Sequence, residues 1–432
     1  MTPRLPTRYP LTPMQEGMIF HSLSCPGTGV EVEQILCTSS EPLDLGALNE
    51  AWRRVRERYP VLRTGFRWED VPAPCQEVLP EAPLEIDVVN VPQSDDDWLA
   101  ADRLRDFNLA EPPLRLQVAK SMFAWRMLWS FHHAILDGRS FPVVLREVFD
   151  RYSALRDGRD WRPEGAVHPF ESFVHHVTSR DHERSRGFWE RAFADFSAPD
   201  HPLVPRARRG NSGDFGAVER WLDAETAGAL QRWLTATGLS LNLALQAAWT
   251  VTVANRTRSA DVVFGATRAC RHTPVAGADR MVGLLINTVP VRSTADPGDL
   301  ARLLEGLRSG WTALRDHELT PLTAIRRWAK SAGPLFDSLV VFDSADLASS
   351  LHALGDEWTG REFVYRGRTG YPLTMIGYGG VSPVFRLEYD RQVVGDVLAS
   401  DLVQETLHVL TGLAARPTRP ETPPSSSRAL AE

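Results

Sequence analysis

The stretch from residue 113 to 152 constrains the fold more than any other part of the chain. Its first half, PLRLQVAKSMFAWRMLWSF (113–131), holds two apolar runs with a break near Ser121, the pattern of two strands joined by a turn. Further on, Phe141, Val144, Leu145, Val148, Phe149 and Tyr152 recur at helical spacing, with Ser140 as the expected N-cap. Between strand and helix lies FHHAILDGRS (131–140). Two histidines, an aspartate and a glycine therefore sit at a strand-to-helix junction. Backbone comes close to a bound molecule at such junctions, and Gly138 carries no side chain to obstruct it.

The rest of the chain repeats this mixture of strand and helix. With 432 residues it is too long for one hydrophobic core, which predicts two or three units. YPLTPMQEGMIFHSL (9–23) opens a helix, with Thr12 as cap, Pro13 at the first helical position and Gln15 completing a capping box. Leu45, Leu48, Trp52 and Val55 share one face of the next helix, which Pro60 ends, and VLRTGFRW (61–68) has the look of a strand. A polar, Arg- and Pro-rich region over 156–218 marks the border between two lobes. Beyond it, helices are expected over 224–236, 240–256, 299–315 and 395–414. ADVVFGAT, GLLINTVPVR, LFDSLVVFDS and VFRLEYD are expected strands. The expected organisation is an N-terminal lobe over 1–175, a C-terminal lobe over 176–414 and a disordered Pro/Ser-rich tail over 415–432.

Several function classes have no support. A net charge of −7 disfavours nucleic acid, because neutralising phosphates needs a basic surface. Cys25, Cys37, Cys75 and Cys270 are scattered without a CxxC pair, which speaks against zinc ribbons, redox dithiols and a disulfide framework. The N-terminus lacks a signal-peptide core, and no apolar run is long enough to span a bilayer. A cytoplasmic protein with no membrane contact is expected. No GxSxG, cysteine-nucleophile signature, GxxxxGK[ST] or dinucleotide fingerprint is present. Direct acyl transfer beside a histidine remains: an activated acyl donor attacked by an acceptor.

FHHAILDGRS admits three readings. A metal site is disfavoured because neighbouring residues on a strand point to opposite faces, so His132 and His133 diverge. A histidine paired within a core suits an arbitrary HxxxD. The full HHxxxDG run at this junction instead suits a general base, provided the imidazole is held in one tautomer. Asp137 then needs a cationic partner if buried. VHHV (174–177) lacks such a context, so His175 and His176 are expected at a surface or interface.

These residues resemble the condensation domains of nonribosomal peptide synthetases, within the chloramphenicol-acetyltransferase-like superfamily. The resemblance runs from about Tyr9 to about Ala414. It rests on YPLTPMQEGMIFHSL, RERYPVLRTGF (56–66), HHxxxDG, MVGLLINTVPVR (281–292) and LFDSLVVFDS (335–344), in the family's order. It implies an α/β fold of two chloramphenicol-acetyltransferase-like lobes forming a V-shaped pseudo-dimer with a central tunnel, which carrier-bound donor and acceptor enter from opposite ends. It also implies that His133 is catalytic and that His132, Asp137 and Gly138 support the site. Arg271, in ACR where the family has SGR, becomes the partner of Asp137. Arg139, Asn287 and Tyr371 become candidates for lining the tunnel. Cys270 in place of glycine, Arg139 in place of tryptophan, and Gly370 in place of the asparagine of NYPL depart from the family pattern. Intact HHxxxDG disfavours the cyclisation branch and degenerate recruitment domains, and the clear PVLRTGF disfavours the epimerisation branch.

The implied reaction moves an acyl or aminoacyl group from a carrier-protein phosphopantetheine thioester to an amine or a hydroxyl, without ATP, metal or bound cofactor. The expected partners are acyl or peptidyl carrier proteins, with the chain itself a monomer. A non-catalytic recruitment domain and an acyltransferase using acyl-coenzyme A are the alternatives. No GGxS attachment site or adenylation motif is present. A free-standing enzyme is expected, with a piece of a megasynthase as the other option.

Overall fold

The computed structural model describes residues 8–415, apart from 81–83, 123, 198, 200–201, 205–213, 297, 332, 345, 354, 356–357 and 359. The tail expected over 415–432 lies outside the described residues except for Ala415. The first half runs β1 (Arg8–Pro10), α1 (Pro13–Ser24), β2 (Val32–Ser39), α2 (Leu45–Arg58), β3 (Thr64–Arg67), β4 (Cys75–Val78), β5 (Ile86–Val89), α3 (Asp95–Arg103), β6 (Leu114–Lys120), β7 (Trp125–His132) and α4 (Ser140–Arg156). Helix α1 starts with the capping box expected of it: Thr12 Oγ1 accepts the Gln15 N–H, and Gln15 Oε1 accepts the Thr12 N–H. Helix α2 buries Leu48, Trp52 and Val55, with Leu45 half-buried at its start. Trp52 meets Trp129 of β7 edge-on at 5.0 Å, which fixes the helix against the sheet.

Two local expectations are corrected. VLRTGFRW is not one strand: Pro60–Arg63 form a single 3-10 turn before β3 begins at Thr64. The fixed φ of Pro60 suits the first position of such a turn. Nor does Ser140 cap α4. The cap position is Arg139, whose side chain makes no capping bond, and Asp137 Oδ1 accepts the N–H groups of both Arg139 and Ser140.

After α5 (Phe170–Thr178) and α6 (Arg186–Ala192), the second half runs β8 (Phe215–Trp221), α7 (Ala224–Thr237), α8 (Leu241–Thr257), β9 (Asp261–Ala269), β10 (Ile286–Thr294), α9 (Leu300–Ala313), α10 (Leu322–Trp328), β11 (Ser338–Asp343), α11 (Leu347–His352), β12 (Arg361–Arg366), β13 (Leu373–Tyr378), β14 (Val384–Asp390) and α12 (Asp396–Ala414). Among the described residues the strands form three sheets: β1-β4-β3, β12-β2-β7-β6-β5 and β10-β9-β11-β13-β14-β8. Each of the two larger sheets is mixed and has its own hydrophobic core, so the molecule is a pair of α/β lobes.

The lobes are not separated by one cut in the chain. Strand β12 pairs antiparallel with β2, placing Phe363 opposite Cys37, and Leu347, Leu351, Trp358 and Phe363 pack into the N-terminal core. Without β12, β2 would leave an open sheet edge, which proteins cover. Arg361 is buried over the ring of Phe149 at 4.7 Å and reaches Glu41 at 3.3 Å. Helix α11 and strand β12 thus belong to the first lobe in space although they fall within 176–414 in sequence. No helix among the described residues is long and apolar enough to cross a membrane.

Candidate active site

Strand β7 delivers the HHxxxDG run to the seam between the lobes. Within residues 131–138, His133 and Gly138 alone escape burial, so this pair opens onto accessible space while its neighbours anchor the loop. His132 is one anchor. Its Nδ1 accepts the Ala134 N–H at 3.1 Å, so its proton sits on Nε2 and points to Ser22 Oγ of α1 at 2.7 Å. Burial, helped by neighbouring His133, pushes its pKa down to about 3, which keeps it neutral.

His133 is held differently. Its backbone N–H donates to the Glu31 carbonyl at 2.8 Å, and its Nδ1 lies 2.8 Å from the Leu136 carbonyl oxygen. A carbonyl only accepts, so Nδ1 carries the hydrogen and Nε2 keeps its lone pair. Burial pulls the imidazole pKa down, but the carboxylates of Glu33 and Glu31 and the Leu136 carbonyl outweigh it, and the net shift is upward. Glu31 sits at φ 59, a costly conformation for a non-glycine residue. Its N–H donates to the Arg368 carbonyl, and its carboxylate meets His21 Nδ1 at 3.2 Å. Glu33 is buried and accepts a hydrogen bond from the Tyr365 hydroxyl of β12. Burial raises the Glu33 pKa, against the pull of His133 and Tyr365.

Asp137 and Arg271 clamp the loop to the C-terminal half. Arg271 Nη2 lies 2.6 and 2.7 Å from the two carboxylate oxygens, and both residues are buried. Asp137 also accepts from the Arg139, Ser140 and Leu285 N–H groups and from Ser140 Oγ. Arg271 Nη1 donates to the Ala278 and Met281 carbonyls. A buried charge survives only when paired and hydrogen-bonded in this way. Cys270 beside it is buried among the apolar residues of the N-terminal core, with its Sγ 3.5 Å from the Arg268 carbonyl. Burial pushes this thiol well up, which makes it inert.

The remaining candidates scatter. Arg139 is exposed. Asn287 is buried, and its amide donates to the Glu318 and Thr320 carbonyls at 2.7 and 3.0 Å, tying that loop to β10. Tyr371 stacks on Phe336 with ring centroids 5.3 Å apart. A Cβ on Gly370 would meet His21 Nδ1 at 2.5 Å, so the residue replacing the usual asparagine lets the crossover pass α1. His175 is exposed and meets Glu171 at 3.1 Å.

Sequence reasoning missed Asp343, at the end of β11. Its Oδ2 would lie 3.5 Å from a Cβ on Gly138. The C-terminal lobe therefore places a carboxylate against the open side of the loop. Asp343 forms no ion pair among the described residues, and one oxygen accepts the Ser344 N–H. Burial raises its pKa to about 6, with Asp137 adding to the rise and Arg139 opposing it.

The geometry meets its relatives at this point. A family model described as Condensation domain matches residues 6–425. The chain belongs to the condensation-domain family. Condensation domains of nonribosomal peptide synthetases form amide bonds by acyl transfer. This one is 32% identical over 426 residues to a linear gramicidin synthase of Brevibacillus parabrevis, covering 95% of the chain and 5% of that protein. It is 27% identical over 428 residues to a surfactin synthase of Bacillus subtilis (strain 168), covering 95% of the chain and 33% of that protein. The condensation domain thus spans a small part of the relatives it matches.

Among solved structures, the first condensation domain of the calcium-dependent antibiotic synthetase with a substrate analogue superposes with a TM-score of 0.77 at 21% identity, covering 95% of this chain and 97% of that one. The starter condensation domain of rhizomide synthetase with C8-CoA gives 0.79 at 20% identity, covering 96% of each. The two-lobed condensation-domain fold is thereby shown. An epimerization domain of tyrocidine synthetase B gives 0.76 at 15% identity, so the fold is shared beyond acyl transfer and the site must carry the reaction.

Proposed function

We propose that this condensation domain moves an acyl or aminoacyl group from a carrier-protein phosphopantetheine thioester to an amine, with His133 Nε2 as the base. The carrying observation is the His133 Nδ1–H held on the Leu136 carbonyl, which leaves the Nε2 lone pair uncommitted among the described residues, on a side chain that is only half-buried. The acceptor nitrogen attacks the thioester carbonyl carbon. His133 Nε2 takes the proton lost as the tetrahedral intermediate forms. The carbon–sulfur bond then breaks, and the thiolate takes that proton back. Holding the two reactants together supplies roughly 7–11 kcal/mol of the barrier reduction. An α-amine has a pKa of about 7.7–8.0, so roughly a tenth is already neutral near pH 7, and the base has modest work to do. Asp343 supports the amine reading, because a carboxylate facing the loop suits an incoming ammonium better than a hydroxyl. Carrier proteins are the partners in this reading, and the chain acts as a monomer in the cytoplasm.

Intact-protein mass spectrometry with acyl-loaded carrier, acyl-coenzyme A, and amine or alcohol acceptors offered separately tests the reading. Amide formed from the carrier-bound donor supports it. Carrier binding without turnover supports a recruitment module, and turnover from coenzyme A esters alone supports the acyl-coenzyme A alternative. Replacing Asp343 with Asn is expected to raise KM for amines with little change for alcohols. Parallel losses with both acceptors would remove Asp343 from acceptor recognition.

The raised His133 pKa sets a pH dependence. The base works only when unprotonated, so kcat/KM should climb as pH rises through a value above the ordinary histidine figure of about 6.5. Replacing Glu33 with Gln removes one carboxylate that favours the imidazolium. The acid limb of the profile should then move to lower pH; an unmoved limb would show that Glu33 does not tune His133.

A further inference from the structure

Strand alternation gives β2 and β12 two faces. Ile35 and Cys37 turn towards the main core, whereas Gln34 and Leu36 turn towards α3. On that second face lies a cavity of about 320 Å³, bounded by α3, the crossover at 366–368, β8 and β14. Four arginines line it, Arg103, Arg366, Arg368 and Arg386, against the two acids Asp96 and Glu388. Arg386 is already paired, with Glu388 at 2.9 Å and Glu219 at 3.1 Å.

The other guanidinium groups are served by carbonyl oxygens. Arg103 donates to the Val32 and Arg366 carbonyls at 2.7 and 2.8 Å. Arg366 donates to the Tyr365 carbonyl at 3.2 Å, and Arg368 donates to the Thr28 carbonyl and lies over Phe215. Neither Arg103 nor Arg366 forms an ion pair among the described residues. Their carbonyl bonds use only some of their N–H groups, and the nearby carboxylates, Glu33 and Glu388 for Arg103 and Asp96, Glu219 and Glu388 for Arg366, act on them from beyond ion-pair distance, so both partly desolvated cations keep donors for a further partner. Burial, reinforced by neighbouring Arg103, pulls Arg368 down to about 9, and burial also lowers Arg103 and Arg366. On the same wall, buried Gln34 Oε1 has no hydrogen-bond partner.

We propose that this cavity is an oxyanion-binding site, taking a phosphate or carboxylate group between the guanidinium groups of Arg103, Arg366 and Arg368. Arginine forks match the planar or tetrahedral oxygens of such groups. Gln34 Oε1 offers an acceptor to a donor on the same ligand or on its water. Because the walls come from both lobes, a bound anion bridges them. The site also adjoins the catalytic loop: the Arg368 N–H donates to Glu33 Oε1 at 3.4 Å, and Glu33 is one of the carboxylates acting on His133.

Binding can be read without turnover, so the test is independent of the reaction assigned to His133. Calorimetric titration of the full chain at constant ionic strength uses inorganic phosphate and succinate as probes. Saturable binding of at least one is expected, weakened by about tenfold or more in Arg366→Gln, the equivalent of losing one charge-assisted hydrogen bond. Arg366→Gln is the decisive variant, because Arg103 holds β2 to the crossover and its loss threatens folding. Displacement of bound phosphate by coenzyme A assigns the site to a pantetheine-linked phosphate, and lack of displacement assigns it to a free anion. No saturable binding of either probe, or equal binding in a folded Arg366→Gln protein, overturns the proposal.

Discussion

His133→Ala is expected to slow amide formation by about 10²-fold and ester formation towards about 10⁴-fold, the two ends of what general-base catalysis contributes. The asymmetry comes from the acceptor. A neutral amine attacks a thioester unaided and sheds its proton afterwards, whereas a hydroxyl needs its proton removed during attack. The substitution should leave the loop in place, since among the described residues the His133 side chain makes one bond, to the Leu136 carbonyl, and Asp137 and His132 carry the anchoring. Initial rates with matched amine and alcohol acceptors, measured beside circular dichroism, check it. An equal loss with both acceptors, or a larger loss with the amine, would contradict the role assigned to Nε2.

Asp137→Ala is expected to cost about 3–5 kcal/mol of stability, because it leaves Arg271 as an uncompensated buried charge. It also strands the N–H groups of Arg139, Ser140 and Leu285. Chemical denaturation reads the loss. The double variant Asp137→Ala with Arg271→Leu should recover part of it, since removing both charges is less harmful than removing one. If Asp137→Ala unfolds at the wild-type denaturant concentration, the clamp does not hold the loop. Activity should fall with stability here, whereas His133→Ala should separate the two.

Local chemistry made much of this architecture legible in the sequence. Thr12, Pro13 and Gln15 announce α1 because capping depends on residues three apart. Leu48, Trp52 and Val55 announce the buried face of α2 for the same reason of short range. The HHxxxDG junction was visible as a strand, a loop and a helix. Sheet membership was not, because hydrogen-bond partners along a strand carry no mark of which sheet it joins. Residues 361–366 sit in the second half of the sequence, and only their pairing with 34–39 places them in the first sheet. Arg271 lies 134 residues beyond Asp137, and it entered through family resemblance, not spacing. Glu33 and Tyr365 gave no signal, and Asp343 stood unmarked within LFDSLVVFDS. Each is an ordinary strand residue in its own neighbourhood, and each acquires meaning when tertiary pairing sets it beside the HHxxxDG loop.

Direct transfer between two tethered substrates is the claim on which the rest depends, and rapid mixing of an acyl-loaded carrier with an amine-loaded carrier tests it most directly. Intact-mass measurement of all three proteins during a single turnover should show the acyl mass leaving the donor and appearing on the acceptor, with the condensation domain unchanged throughout. Acyl mass accumulating on the condensation domain itself, or a donor that stays loaded beside a folded wild-type protein, would contradict the account.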